Sequence, residues 1–487
     1  MFDNSYARLP ERFFHRQAPA RVPAPALVRL NAALAKDLTL DEAWLRSDEG
    51  VAMLAGNLVP DDAEPLAMAY AGHQFGGWSP QLGDGRAILL GEVIGTDGQR
   101  HDLHLKGAGQ TPFSRMGDGR AVLGPVLREY IISEAMAAFG IPTTRALAAV
   151  ATGDQVYREG WQPGAVLARA ARSHVRVGTF EYFAARKDTD ALKTLADYVI
   201  DRHYPELRGG GAPYRSLFAA VVARQATLIA DWMGVGFIHG VMNTDNMSII
   251  GETIDYGPCA FMDQYHPNTV YSSIDHGGRY AFGNQPYIAQ WNLSCLARAM
   301  LSLLDDEQKT AVAIAQAELD VFPDLFDKAW QAKLRAKLGL NKTGDDDPAL
   351  ANELFALMAE RQVDFTNAFR TMSFLSRVAG GNDHQFTQLF GGTPEIDGWL
   401  AKWRARLASE QVDDTARQQQ MQAVNPAFIP RNHRVEAALV AANSGDFSLF
   451  ERLLMILATP FAEQPDFVDY QLPPEPEEVV AATFCGT

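Results

Sequence analysis

The sequence predicts an α+β fold of two lobes, a small β-rich N-lobe and a larger, mainly α-helical C-lobe, with N- and C-terminal extensions. Three observations carry this expectation. A chain of 487 residues holds enough polypeptide for about three domains, or for two lobes sharing a cleft. Between residue 81 and about residue 180, short apolar runs are separated by turn signals. From about 181 onward, long stretches repeat apolar residues at helical spacing. With 47% hydrophobic and 21% charged residues, the chain has an ordinary globular balance and a core large enough to need no staples.

Residues 1–80 mix short helical stretches with Pro-rich turns and are read as an N-terminal extension. In the N-lobe, 81–180, AILLGEVI (87–94), GTDG (95–98) and RHDLHLKGA (100–108) read as strand, hairpin turn, strand. GPVLREYIISEAMAAFG (124–140) reads as a helix, with Pro125 near its start and Gly140 just past its end. TRALAAVATG and GAVLARAARSHVRVG supply further strands, and the order β, β, α, β, β is compatible with the small lobe of a protein kinase. In the C-lobe, 181–470, SLFAAVVARQATLIADWMGVG (216–236), CLARAMLSLL (295–304), NELFALMAERQVDFTNAFRTM (352–372) and HRVEAALVAAN (433–443) are helix candidates. NKTGDDDP (341–348) reads as a solvated loop, and 471–487 as a tail carrying Cys485.

Composition removes several function classes. The net charge of −16 is a poor match to nucleic acid, which selects basic faces, so no nucleic-acid partner is expected. Cys259, Cys295 and Cys485 are too few for a disulfide framework and lack the spacing of a structural zinc site. No apolar run is long enough to span a membrane, and the N-terminus lacks the apolar centre of a secretory signal. The expected location is a bacterial cytoplasm, with the mitochondrial matrix as the eukaryotic alternative. Phosphate-loop, zincin and serine-hydrolase motifs are absent. Both GDGR copies (83–86 and 117–120) also miss the dinucleotide fingerprint, because Ile88 and Val122 stand where its third Gly belongs.

FIHGVMNTDNMSIIGETIDYGP is the strongest positive signal. His239 and Asn246 are seven residues apart, the His-to-Asn spacing of a kinase catalytic loop, and Asp255 opens a DYG where kinases carry DFG. An Asn amide and an Asp carboxylate are oxygen donors suited to Mg²⁺. MSII and ETID are expected to pair as a short hairpin that brings Asn246 and Asp255 to one cleft. An Asx-rich turn followed by a tight bend is the plainer reading. Lys106, on a strand face shared with Asp102 and His104, and Glu129, in the following helix, have the order of the kinase Lys–Glu pair. Gly83, Gly85 and Arg86, with Asp118 and Gly119, sit in turns that either cradle phosphate or merely reverse the chain. Arg169, Arg172 and Arg176 face solvent or clamp phosphates, depending on where their strand lies. Val241 occupies the kinase base position, and Asp245 stands next to Asn246 as a replacement base. Loss of catalysis is the competing reading.

HGVMNTDN followed by IDYGP, the doubled GDGR, HLKGAGQTPFSR and a Cys third from the C-terminus together resemble the selenoprotein O family over nearly the whole chain. The resemblance implies a protein-kinase-like fold and a protein adenylyltransferase that moves AMP from ATP to Ser, Thr or Tyr hydroxyls of proteins. For some bacterial members it implies UMP transfer as well. It also implies ATP bound in reverse relative to kinases, Asp245 as proton acceptor, and Asn246 and Asp255 as ligands of Mg²⁺ or Mn²⁺. The nucleotide would be held by Lys106 with Glu129, Arg169, Arg176, Asp255, Gly83–Arg86 and Asp118–Gly119. Cys485 matches the selenocysteine of eukaryotic members, and the family implies redox control through it, with Cys259 or Cys295 as internal partners or no partner at all. A monomer is expected. A conventional kinase and a non-catalytic nucleotide-binding pseudokinase are the alternatives.

Overall fold

The structure, a computed structural model, describes residues 1–484. Cys485 lies outside the described residues. The fold is α+β. Its strands are β1 (Phe14–Arg16), β2 (Ala26–Leu30), β3 (Leu66–Met68), β4 (Gly72–Gln74), β5 (Gly77–Ser79) and β6 (Ala87–Ile94). They continue with β7 (Arg100–Lys106), β8 (Ala121–Val122), β9 (Arg145–Tyr157), β10 (Trp161–Ala171), β11 (Phe237–Ile238) and β12 (Ala260–Phe261). One antiparallel sheet runs in the order β1-β3-β6-β7-β10-β9-β2, with β8 added beside β10, while β4–β5 and β11–β12 form separate two-stranded ladders.

Both faces of the sheet are covered, which explains why AILLGEVI is apolar on both of its alternating faces. Leu34, Leu45, Met53 and Leu54, from the short helices of residues 32–55, pack with Ile88, Leu105, Val150 and Val166. The neighbouring Ala149, Ala165 and Leu167 point the other way. They pack with Leu127 and Ile131 of the helix Leu123–Ala138, and with Phe428, Phe450 and Leu453 from near the end of the chain. That helix therefore lies between the sheet and two later helices, Asn432–Asn443 and Ser448–Leu457. Arg128 fastens it further: Nη1 pairs with Glu436 at 2.9 Å, and Nη2 donates to the Asn432 side chain at 2.8 Å and to the Cys259 carbonyl at 2.6 Å.

Between Val177 and Leu457 there are thirteen α-helices. The first eleven share a core that includes Phe180, Phe218, Ile229, Leu293, Phe365 and Trp399. None of the helices among the described residues is long and apolar enough to cross a membrane.

Three local expectations are corrected. Residues 1–80 hold the expected short helices but also contribute β1, β2 and β3 to the sheet and the whole β4–β5 hairpin. The stretch 352–372 is two helices, Asp347–Arg361 and Phe365–Met372. Gln362 adopts φ +53°, which ends the first, and Asp364 caps the second by accepting from Asn367 N. MSII and ETID do not pair with each other. Ser248 bridges Arg176 and Thr253 bridges Thr143 instead. Ile249 and Ile250 are buried, and Gln225 and Tyr204 donate to the carbonyls of Ser248 and Ile249, which replaces the hairpin's own hydrogen bonds.

Candidate active site

A cleft of about 1080 Å³ runs between the sheet and the helical region, at the upper end of the ~300–1,000 Å³ typical of small-molecule sites. Its lining includes Gly83, Lys106, Gly119, Arg176, Asp245 and Asp255. Gly85, Arg86, Asp118, Glu129, Arg169 and Asn246 line it too. The structure thus brings every cleft residue named above to one place, apart from Arg172. The Arg172 amide donates to Glu252, and its guanidinium reaches Gln99.

Strand register explains the cationic wall. Lys106 on β7 lies opposite Leu167 of β10, and His104 lies opposite Arg169, so Lys106 and Arg169 are diagonal neighbours on one face. Lys106 Nζ is 2.5 Å from Glu129 and 3.3 Å from Asp255. Arg169 Nη1 donates to Glu129 at 2.9 Å and to Asp255 at 2.7 Å. Arg176 donates from one nitrogen to the Asp255 carboxylate and, at 2.6 Å, to the main-chain carbonyl of Asp245. Its guanidinium also lies 4.6 Å from the ring centre of Tyr70. Burial works to raise the Asp255 carboxyl, but Arg176, Arg169 and Lys106 outweigh it and hold the group well below the usual carboxylate range. Burial, Lys106 and Arg169 set Glu129 in the same way, with its carboxyl lowered overall. Asp255 holds φ +62°, unusual for a residue with a Cβ.

Asp245 sits in the single 3₁₀ turn Thr244–Asn246. Gln74 donates to its Oδ2 at 3.1 Å, while Oδ1 is buried with no hydrogen-bond partner. Burial pushes this carboxyl up to about 6, against the Gln74 hydrogen bond and the Arg176 charge. Two acids in one cleft are thereby driven apart, one firmly ionised and one poised near neutrality. The Asn246 amide nitrogen is committed to the Val241 carbonyl at 2.9 Å, which leaves its oxygen for a cation. His239 is buried, with Nε2 donating to the Ile254 carbonyl at 3.0 Å, and burial lowers its pKa. It ties the loop to the segment leading into DYG and does not itself reach the cleft lining.

The two GDGR loops owe much of their shape to packing. A Cβ at Gly119, where φ is +68°, would meet the backbone of Gly109 at 2.1 Å. Asp84, between Gly83 and Gly85, is buried and accepts from Met68 N at 3.0 Å and from His104 at 3.1 Å. His104 in turn stacks on His174 at 4.3 Å, and His174 bonds Asp102. Asp118 pairs with Arg158 through two 2.9 Å bonds.

Sequence reasoning missed Tyr70, Gln74, Asn243 and Arg158, all of which line the cleft. A signal for Gln74 exists in GHQFGGW (72–78). Phe75 and Gly76 both take positive φ, +51° and +83°, as a two-residue hairpin turn requires. Thr483 donates to the Pro258 carbonyl at 2.6 Å, and Phe484 lines the cleft mouth. Cys259 and Cys295 are both buried.

Cations converging on one ionised carboxylate, with a second carboxyl poised beside them, give this cleft the chemistry of a phosphate-handling transferase. The family model for protein adenylyltransferase SelO matches residues 1–458. A protein nucleotidyltransferase YdiU of Rhizobium etli is 58% identical over 489 residues, covering 100% of this chain and 97% of its own length. Proteins of the same name from Bradyrhizobium sp. and Rhodopseudomonas palustris are also 58% identical, with 100% of this chain and 99% of theirs covered. The chain belongs to the protein adenylyltransferase SelO family and is a protein nucleotidyltransferase.

Proposed function

We propose that this chain transfers AMP from ATP, or UMP from UTP, to Ser, Thr or Tyr hydroxyls of proteins on a two-lobed, protein-kinase-like frame. The observation that carries the reading is the double hydrogen bond of Arg176. It couples the main chain of Asp245 to the carboxylate of Asp255, fixing the proposed base beside the proposed metal ligand. Asp245, poised near 6, takes the proton as the hydroxyl oxygen bonds to the α-phosphorus. The bond from that phosphorus to the bridging oxygen breaks, and pyrophosphate leaves. Lys106, Arg169 and Arg176 offset the charge on the phosphates, and the glycine turns let backbone approach them. Such a transfer needs positioning and neutralisation more than covalent help.

The donor set suits Mg²⁺ or Mn²⁺. Asn246 offers its amide oxygen, and the Asp255 carboxylate has lone pairs beyond those its cations use. When bound, the ion would supply further neutralisation of the triphosphate. Incubation with ATP labelled at the α- or the γ-phosphate tests the reading. Protein labelling from the α-position is expected, and labelling from the γ-position alone would make the chain a conventional kinase. Asp255→Ala should weaken Mg²⁺-ATP binding in a calorimetric titration, and unchanged affinity removes Asp255 from the metal site.

A further inference from the structure

Behind the β4–β5 hairpin lies a cluster of different chemistry. His73 of β4, Glu181 of the helix Val177–Ala185 and Cys295 of the helix Gln285–Leu304 each offer one ligand atom, and the three atoms lie within 4.8 Å of one another. Imidazole, carboxylate and thiol are the donors of tetrahedral zinc sites. Glu181 is only 5% exposed, and its Oε2 is buried with no hydrogen-bond partner. A buried carboxylate oxygen without a donor is costly unless something occupies it. We propose that His73, Glu181 and Cys295 form a binding site for one divalent transition-metal ion, zinc by donor type, separate from the nucleotide cleft.

The geometry needs little adjustment. Zinc bonds of about 2.0–2.3 Å place tetrahedral ligand atoms about 3.3–3.7 Å apart. The 2.6 Å contact between His73 Nδ1 and Glu181 Oε1 opens by about 1 Å, and wider separations close by about the same. His73 keeps 20% of its side chain accessible, which provides an entry path and room for water as fourth ligand. The charges balance, because a divalent ion offsets one thiolate and one carboxylate. Arg298 donates to Cys295 Sγ at 3.4 Å, the kind of outer hydrogen bond that steadies a metal thiolate. Burial, with the Glu181 charge adding to it, raises the metal-free Cys295 thiol to about 11. A bound cation reverses that preference and releases the proton.

The site would act on the cleft through the backbone. His73 N donates to Thr244 Oγ1 at 2.7 Å, and the next residue, Gln74, holds Asp245. An ion at His73 pins β4 to two helices of the helical core, and thereby fixes the donor that contacts Asp245. The oxygen donors proposed for the nucleotide-site cation make no thiolate bond, so the two sites are distinguishable by spectroscopy.

The test uses the full chain, stripped with a chelator, desalted and titrated with Co²⁺. One equivalent should produce a thiolate-to-cobalt charge-transfer band and the visible bands of a tetrahedral ion, both erased by Zn²⁺. Cys295→Ser should abolish the charge-transfer band, while Cys259→Ser and Cys485→Ser should retain it. Glu181→Gln, nearly isosteric, should weaken Co²⁺ affinity at least about tenfold. Should Cys295→Ser fail to fold, Glu181→Gln and His73→Gln carry the same test. The absence of a thiolate band in the wild-type chain overturns the proposal. So does a band that survives Cys295→Ser, or Co²⁺ affinity left unchanged by both Glu181→Gln and His73→Gln.

Discussion

Asp245→Asn separates the chemical role of this side chain from its effect on the fold. The substitution keeps the size and the contact with Gln74 but removes the charge. Burial lifts the Asp245 carboxyl from 3.8 to about 6, and each pH unit of such a difference is worth about 1.4 kcal/mol. The ionised carboxylate therefore costs the native state about 3 kcal/mol at neutral pH. The sign follows from the raised folded value. Below about 3.8 the group is protonated whether folded or not, and the cost is absent; it grows as pH rises and is complete above about 6. Asn does not titrate, so the stability of the variant relative to wild type should rise with pH. Between pH 5 and pH 7.5 about half of the effect, ~1.4 kcal/mol, is recovered. For a chain of this length the unfolding entropy is about 1 kcal/mol per kelvin, so the melting-temperature gap should widen by about 1–2 °C. Differential scanning calorimetry at the two pH values, without nucleotide, reads that gap. A labelled-ATP assay should show transfer abolished with ATP binding kept. A gap that is flat or narrows with pH refutes the buried-acid account, and transfer near the wild-type rate refutes the base assignment.

Other outcomes follow from the same geometry. Because the base must be ionised, kcat/KM should fall about tenfold per pH unit below about 6, and a profile flat from pH 5 to 8 contradicts a base with that pKa. Arg176→Lys displaces the one nitrogen that joins Asp245 to Asp255 and loses the guanidinium face on Tyr70, so kcat/KM should drop at least about a hundredfold. Arg176→Met should in addition lower stability by about 1.5–3 kcal/mol, read by denaturant titration, because the half-buried Asp255 loses one of its three cations. Gly119→Ala should weaken ATP binding about tenfold or more, since its Cβ would collide with the Gly109 backbone. Gly98→Ala is the control, with a similar φ of +70° but nothing within 4 Å; equal effects from the two would mean strain alone acts.

What the sequence revealed depended on how local the determining forces were. β6 spans the apolar run 87–94 residue for residue, and the helix carrying Glu129 begins and ends within two residues of its Pro and Gly signals. The Lys106–Glu129 contact was legible because strand alternation and element order suffice to place both residues. The position of Gln74 was not, because it depends on a hairpin meeting a loop 171 residues away in sequence. The same holds for β2, which pairs with β9 across more than a hundred residues. Gln362 also left no clear mark, since a left-handed glutamine lacks the signal a glycine would have given. The His104–His174 stack shows a further limit. His104 was placed on the correct strand face, but its neighbours Asp84 and His174 come from separate turns.

The helix Leu123–Ala138 carries the glutamate that holds Lys106. In protein kinases a helix that carries the glutamate of a Lys–Glu pair is a regulatory lever, swung in or out to make or break the pair. Here the sheet fills one side of it, Phe428, Phe450 and Leu453 fill the other, and Arg128 bolts it to Asn432, Glu436 and the Cys259 carbonyl. Swinging it out would strip the inner layer from the sheet and leave a buried guanidinium without partners. This helix is a fixed beam, and the lighter elements around the cleft are the glycine loops and the β4–β5 hairpin.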